Sequence, residues 1–368
     1  MTHIPAKPWL LPSPPRRILA IRLQAMGDTV ITLPYLLHLR NSLPAGVRLD
    51  LLTREETGDI PKNIDLFDHV YTIGGARHFR RQLVYTFFLL PRLMLQRYEA
   101  VIDLQNNIIS RIVRRTIRPR AWSEFDRFSP LAAGERTRLT IEAVGLGAGS
   151  GFAAGSGEDS GSGGGLGSGA NGMDCHFRLK DADCGIAILK NNGWNGVSPL
   201  VVLNPAGAFP TRNWDLRNYL RFAQLWLERW PDTQFMVLGT SFIAEKTAVL
   251  KNELHDRLIN LVGQTTPSEV FAILQKAALV LTEDSGLMHM AWVSGIPTMV
   301  LFGGTRSDWS RPLGPHSSFL DSSDLACGSC MQAVCGRGDV YCLSRFTPEQ
   351  VFSHCLALLP AIQPQPIW

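Results

Sequence analysis

The chemistry-bearing residues of this chain gather in short polar turns between apolar runs. Glu283, Asp284, Ser285 and Gly286 follow the strand-like run AALVLT, and a helical pattern starts at Leu287 and ends near Gly295. Amides at a helix N-terminus lack intrahelical partners and sit at the positive end of the dipole, so this turn suits a phosphate or a sugar hydroxyl. His289 projects from the same helical face as Ser285. A plain N-cap at Asp284 or Ser285 and a core histidine at 289 fit the pattern as well. A second turn near the other end, Gln24 to Gly27, leads into Asp28 at the start of another helical pattern that runs to about Leu39. Gly27 permits a tight turn there, and Asp28 is either a ligand-site carboxylate or an N-cap. Thr211 and Arg212 lie in a Gly- and Pro-containing loop after VVLN, where a guanidinium could hold a phosphate through paired bonds. Glu245, after the strand-like run ending at Leu238, could bind ribose hydroxyls or be an exposed helix residue.

These turns need a scaffold, and the apolar runs supply it. Strand-like segments fall at residues 18–23, 48–52, 69–73 and 100–104, and again at 200–203, 234–238, 258–261, 278–281 and 298–302, with helical patterns between them. Strands alternating with helices indicate parallel sheets with ligands outside the strands' carboxyl ends. Residues 145–172 are almost all Gly, Ser and Ala and are expected to be a flexible linker or loop. The expected division is therefore a domain at 16–144, the linker, and a domain at 173–368, with the ligand cleft between the two.

Composition narrows the function classes. With 368 residues, 45% hydrophobic and 18% charged, the chain can bury two ordinary cores. A net charge of +4 is too mild to indicate nucleic acid and suits an anionic ligand or surface. Prolines interrupt the apolar residues of the N-terminal stretch, and its charge follows them, so a signal peptide is not expected. The expected location is the cytoplasm.

The segments IRLQAMGDTVITLP, LNPAGAFPTRNW and LTEDSGLMHMAWVSGIPTMVLFGGT, in this order, resemble the signature segments of glycosyltransferase family 9, the ADP-heptose:lipopolysaccharide heptosyltransferases. The likeness runs from about Arg17 to about Leu359, apart from the Gly/Ser stretch. It implies an α/β fold of GT-B architecture, with two Rossmann-like domains facing a central cleft, acceptor on the first and nucleotide sugar on the second. It implies an inverting transfer with Asp28 as base, Asp284 holding sugar hydroxyls, and Ser285, Gly286 and His289 near the diphosphate. Thr211 and Arg212 match the phosphate-contacting loop, although the family usually has Lys where Arg212 stands; Glu245 matches a nucleoside-side residue more weakly. ADP-heptose as donor, a lipid-linked oligosaccharide acceptor and no catalytic metal follow from the same likeness. Another nucleotide sugar or a protein acceptor would keep the fold. A binding module without catalysis remains an alternative, as does a nicotinamide-dependent dehydrogenase, although neither first strand is followed by G-x-G-x-x-G.

The family uses the region 98–120 for acceptor contacts, which makes Gln105, Asn106 and Arg111 the candidates there; the Arg residues could equally be a solvated helix face. RHFRRQLVYTFFLLPRLMLQR mixes bases with a large apolar face, which fits either transient contact with an anionic inner membrane, making the protein peripheral at its cytoplasmic face, or a core helix. Cys327, Cys330, Cys335 and Cys342 include a C-x-x-C spacing, compatible with structural zinc or iron or with no metal.

Overall fold

The structure, a computed structural model, describes residues 4–146 and 177–359. Almost all of the Gly/Ser stretch, residues 147–172, lies outside the described residues. The chain divides into two compact units, Met1–Lys180 and Asp181–Trp368. Leu179 joins the first through an antiparallel bridge to Ile64.

In the first unit the strands are β1 (Ala6–Lys7), β2 (Arg17–Ile21), β3 (Arg48–Arg54), β4 (His69–Ile73), β5 (Ala100–Asp103) and β6 (Ala121–Glu124). Its helices are α1 (Met26–Ser42), α2 (Asp59–Asn63), α3 (Phe79–Leu95), α4 (Ile108–Ile117) and α5 (Ala133–Ala143). The sheet order is β1-β6-β5-β2-β3-β4, parallel except for β1. Strands covered on both faces read as continuous apolar runs, and β2 and β5 are buried along nearly their whole length.

The second unit holds β7 (Leu200–Asn204), β8 (Gln234–Val237), β9 (Leu258–Asn260), β10 (Leu279–Glu283), β11 (Thr298–Leu301) and β12 (Ser317–Leu320). Its helices are α6 (Cys184–Asn191), α7 (Leu216–Arg229), α8 (Ala244–Leu254), α9 (Pro267–Leu274), α10 (Gly286–Val293), α11 (Ser307–Ser310), α12 (Tyr341–Ser344) and α13 (Pro348–Leu358). This sheet runs β12-β11-β10-β7-β8-β9, all parallel.

Both orders reverse direction once. Apart from the short edge strand β1, the chain starts at a central strand, winds outward, then returns to the other side, so the topological switch falls between β2 and β5 in one unit and between β7 and β10 in the other. In doubly wound folds the loops leaving such strands part and form the ligand crevice. Asp28 follows β2 and Gln105 follows β5; Arg212 follows β7 and Asp284 follows β10.

The sequence did not reveal β1, β6 and β12 as strands. β1 is two residues long, β6 carries Ser123 and Glu124, and every residue of β12 is half-buried, so none presents an apolar run.

Candidate active site

At the first switch point the carboxylate is held by its own helix. α1 begins at Met26, and Asp28 Oδ2 accepts the Ala25 amide at 3.0 Å, one half of a capping arrangement. The same oxygen lies 3.0 Å from Arg22 Nη2, with the Arg22 side chain 7% and the Asp28 side chain 41% exposed. Arg22 also donates to the Leu104 carbonyl, and its guanidinium lies 5.0 Å from the Phe125 ring centre. Helix α5 packs on α1 and brings Arg136 to that ring as well, at 5.1 Å.

Beside Asp28 is a cavity of about 1340 Å³ lined by residues of this unit. Its wall contains Arg22, Arg54, Arg77, Arg127 and Arg136, five guanidiniums, against two carboxylates, Asp28 and Glu56. Arg54 is paired with Glu56, through Nη2 to Oε1 at 2.7 Å, and donates to Gln24 Oε1 at 2.9 Å. After those two pairings the lining still carries an excess of positive charge, which favours an anionic ligand.

The acceptor candidates divide. Gln105 lines the cavity, but its Oε1 is bonded to the amides of Leu23 (2.9 Å) and Gln24 (3.0 Å), tying the β5 loop to the β2 loop. Asp103 fixes that loop in turn, Oδ1 accepting the amides of Gln105 (3.1 Å) and Asn106 (2.7 Å). Asn106 accepts from Arg111 Nε at 2.9 Å and donates to Phe125 O at 2.9 Å, and neither Asn106 nor Arg111 is among the residues of the cavity wall. The wall instead uses Asn107 and the more distant Arg54, Arg77, Arg127 and Arg136.

The second switch point is organised by a residue that the sequence left inside an undifferentiated polar turn. Glu283 is the last residue of β10 and is fully buried. Its two oxygens accept the amides of Gly207 and Trp214, each at 2.6 Å, and so fold the loop 205–214 back onto the strand end. Burial pushes its carboxyl up to about 7, against those two amide bonds and nearby Lys246. Lys246 Nζ donates to Pro205 O (2.8 Å) and Asn213 Oδ1 (2.6 Å), holding both ends of the loop. A Cβ on Gly207 would run into the Arg212 carbonyl oxygen and stand 2.7 Å from Glu283 Oε2, so only glycine fits there.

That loop carries Arg212, whose Nη1 stands 3.4 Å from Asp284 Oδ2, with side chains 23% and 14% exposed. Thr211 is buried, and its hydroxyl donates to Gln332 O at 2.5 Å. It clasps the cysteine segment, leaving Arg212 as the charged group of the loop. Ser285 is the N-cap of α10 but makes no side-chain cap bond; its hydroxyl meets Asn204 Nδ2 at 2.9 Å. Gly286 begins α10 with open space where a side chain would stand, and His289 is buried one turn on. Glu245 is exposed in the first turn of α8.

The four candidate cysteines differ in burial. Cys342 is drawn into the core on α12, while Cys327 and Cys330 are exposed and Cys335 is half-buried. Among the described residues no three His, Cys, Asp or Glu side chains form a group that could hold a metal. The segment's contact with the site is through backbone: Met331 N donates to Gly304 O at 2.7 Å, beside the Thr211 clasp.

Comparison with known proteins places this arrangement. Residues 176–340, the half that carries the Glu283 loop and α10, match the family model for glycosyltransferase family 9 (heptosyltransferase). The chain is similar to glycosyltransferase family 9. It is 28% identical over 172 residues to lipooligosaccharide heptosyltransferase 2 of Campylobacter jejuni, a match covering 45% of this chain and 51% of that one, so the chain spans about half the length of that relative. Lipopolysaccharide heptosyltransferase 1 of Pseudomonas aeruginosa is 23% identical over 94% of this chain and 98% of its own. Among solved structures, a family 9 glycosyltransferase from Veillonella parvula superposes with a TM-score of 0.75 at 17% identity, covering 94% of this chain and 98% of that one. E. coli ADP-heptose lps heptosyltransferase II gives 0.69 at 16% identity, covering 94% and 99%. These likenesses establish the family's two-sheet GT-B fold for this chain.

Proposed function

We propose that the protein is an inverting glycosyltransferase that moves heptose from ADP-heptose to a hydroxyl of the lipopolysaccharide inner core or a related glycan. The observation that carries this reading is the pairing of Asp28, a partly exposed carboxylate at a switch point, with an arginine-rich cavity sized for an anionic oligosaccharide. Asp28 takes the proton from the acceptor hydroxyl as that oxygen attacks the anomeric carbon. The cavity's guanidiniums receive the acceptor's carboxylates or phosphates. In the second unit, Arg212 and the N-terminus of α10 neutralise the departing diphosphate, so the chemistry requires no divalent metal. Asp284, which pairs with Arg212, turns to the sugar hydroxyls, with Ser285, Gly286 and His289 completing the donor pocket and Glu245 on the nucleoside side. A lipid-linked acceptor puts the protein at the cytoplasmic face of the inner membrane. Among the described residues no helix is long and apolar enough to cross a membrane.

A second reading keeps the mechanism and changes the donor sugar or the acceptor. It rests on Arg212, whose planar fork stands where the family usually has a point-charged Lys. A transfer assay with ADP-heptose and heptose-free core acceptor tests the proposal. Transfer lost in Asp28→Ala with donor binding intact supports it; transfer undiminished in that variant removes Asp28 as base.

A further inference from the structure

Helix α3 has apolar residues on opposite sides. Leu83, Leu89, Leu90 and Leu93 pack on the core of the first unit. On the other side Val84, Phe87, Phe88 and Leu95 are 55, 70, 74 and 79% exposed. At about 100° per residue these four share one face, so the exposure belongs to a continuous stripe. The core-helix reading of this segment therefore holds for one face, while the other is exposed among the described residues. Arg80, Arg81 and Arg92 are exposed along the helix and Arg97 just beyond it, and residues 79–95 include no acidic side chain. The neighbouring α4 adds Ile108 and Ile112, 59% and 36% exposed, with Arg111 and Arg115 beside them.

The stripe is continuous with the site. Arg77, His78, Phe79 and Gln82, at the N-terminal end of α3, line the cavity that holds Asp28, as does Ile108 of α4. An occupant must therefore be apolar inside, negative at its surface and present where the acceptor enters. An anionic bilayer meets all three conditions. At 17 residues, α3 is about 25 Å long and suited to lie in the headgroup plane with its apolar face buried.

We propose that α3, with the exposed edge of α4, docks onto an anionic lipid bilayer and holds the mouth of the arginine-rich cavity against the surface from which the acceptor glycan projects. The orienting role rests on the acceptor reading of the cavity; the docking itself does not.

Vesicle flotation tests it. Wild type should float with phosphatidylethanolamine–phosphatidylglycerol vesicles, not with phosphatidylcholine vesicles, and should release in high salt. Phe87→Asp combined with Phe88→Asp touches only exposed positions and should weaken flotation at least about tenfold. The same variant should lose transfer to vesicle-embedded acceptor by a similar factor while keeping donor binding and transfer to a delipidated, soluble acceptor. Wild type that floats with neither vesicle, or a variant that floats like wild type, overturns the docking. So does a wild-type dimer that the double substitution splits without any vesicle binding, since the stripe would then be a self-interface. Flotation as expected with no transfer to either acceptor would instead overturn the acceptor reading and leave the docking standing.

Discussion

The two switch points share a topology and treat their carboxylates in opposite ways. In the first unit Asp28 has a side chain 41% exposed and faces a large cavity whose lining is mostly basic. In the second, Glu283 is fully buried and spends both oxygens on backbone amides of its own loop. A carboxylate that must exchange a proton with a substrate has to be reachable. One that sets the shape of a loop has to be immobile and fully bonded. On the proposed function, the arrangement separates chemistry from preorganisation, one task to each sheet. The ion pairs repeat the contrast: Arg22, 7% exposed, reaches Asp28 from the core at 3.0 Å, while Arg212 and Asp284, 23% and 14% exposed, stand 3.4 Å apart.

The largest expected effect is at Asp28. Asp28→Ala should cut transfer about 10²–10⁴-fold, the range for loss of a general base, with donor affinity unchanged by calorimetry. Glu283→Ala should act the other way round: two buried amides lose their acceptor, costing roughly 2–5 kcal/mol in urea unfolding, and donor affinity should fall with stability. If Glu283→Ala left stability intact and abolished only transfer, the division of labour would be reversed.

The titration of Glu283 sharpens the contrast. Its folded value of about 7 lies above the ordinary 4.5 because burial penalises the charged form. The folded state therefore holds the proton more tightly than the unfolded chain. This contribution to stability is fully present below the ordinary value and is lost as pH rises through the folded one. Wild type should lose up to about 3 kcal/mol between about pH 5 and about pH 8 relative to Glu283→Gln, which cannot titrate there. Parallel urea midpoints across that range would contradict it.

Smaller effects separate the arginines. Arg136→Ala, at the cavity wall, should raise the KM for acceptor about tenfold or more with little change in donor binding. Arg111→Ala, which removes a partner of Asn106 away from that wall, should stay within about 0.5 kcal/mol of wild type in stability and leave the acceptor KM unchanged. Equal effects from both would move acceptor recognition toward α4.

What could be read from sequence follows the range of the interactions. The core strands announced themselves because burial on both faces demands unbroken apolar runs, as in RILAI and LVVLN. Asp28, Arg212 and Asp284 stood out as candidates because turns after such strands are where doubly wound sheets bind ligands. Glu283 was not: its partners Gly207 and Trp214 lie 76 and 69 residues away, and a single chain of letters does not pair them. Lys246, Phe125 and Arg136 were hidden for the same reason. Gln105 lines the cavity, but its bonds to Leu23 and Gln24 make it a tie between loops, a distinction that needs the fold.

The most direct test of a preorganised donor loop carrying one functional cation is calorimetric titration of ADP-heptose, against UDP-glucose, GDP-mannose and NAD, into wild type, Arg212→Ala and Asp284→Ala. The account predicts selective binding of ADP-heptose, weakened about tenfold or more by each substitution. Undiminished binding in both variants, or binding of NAD alone, would contradict it.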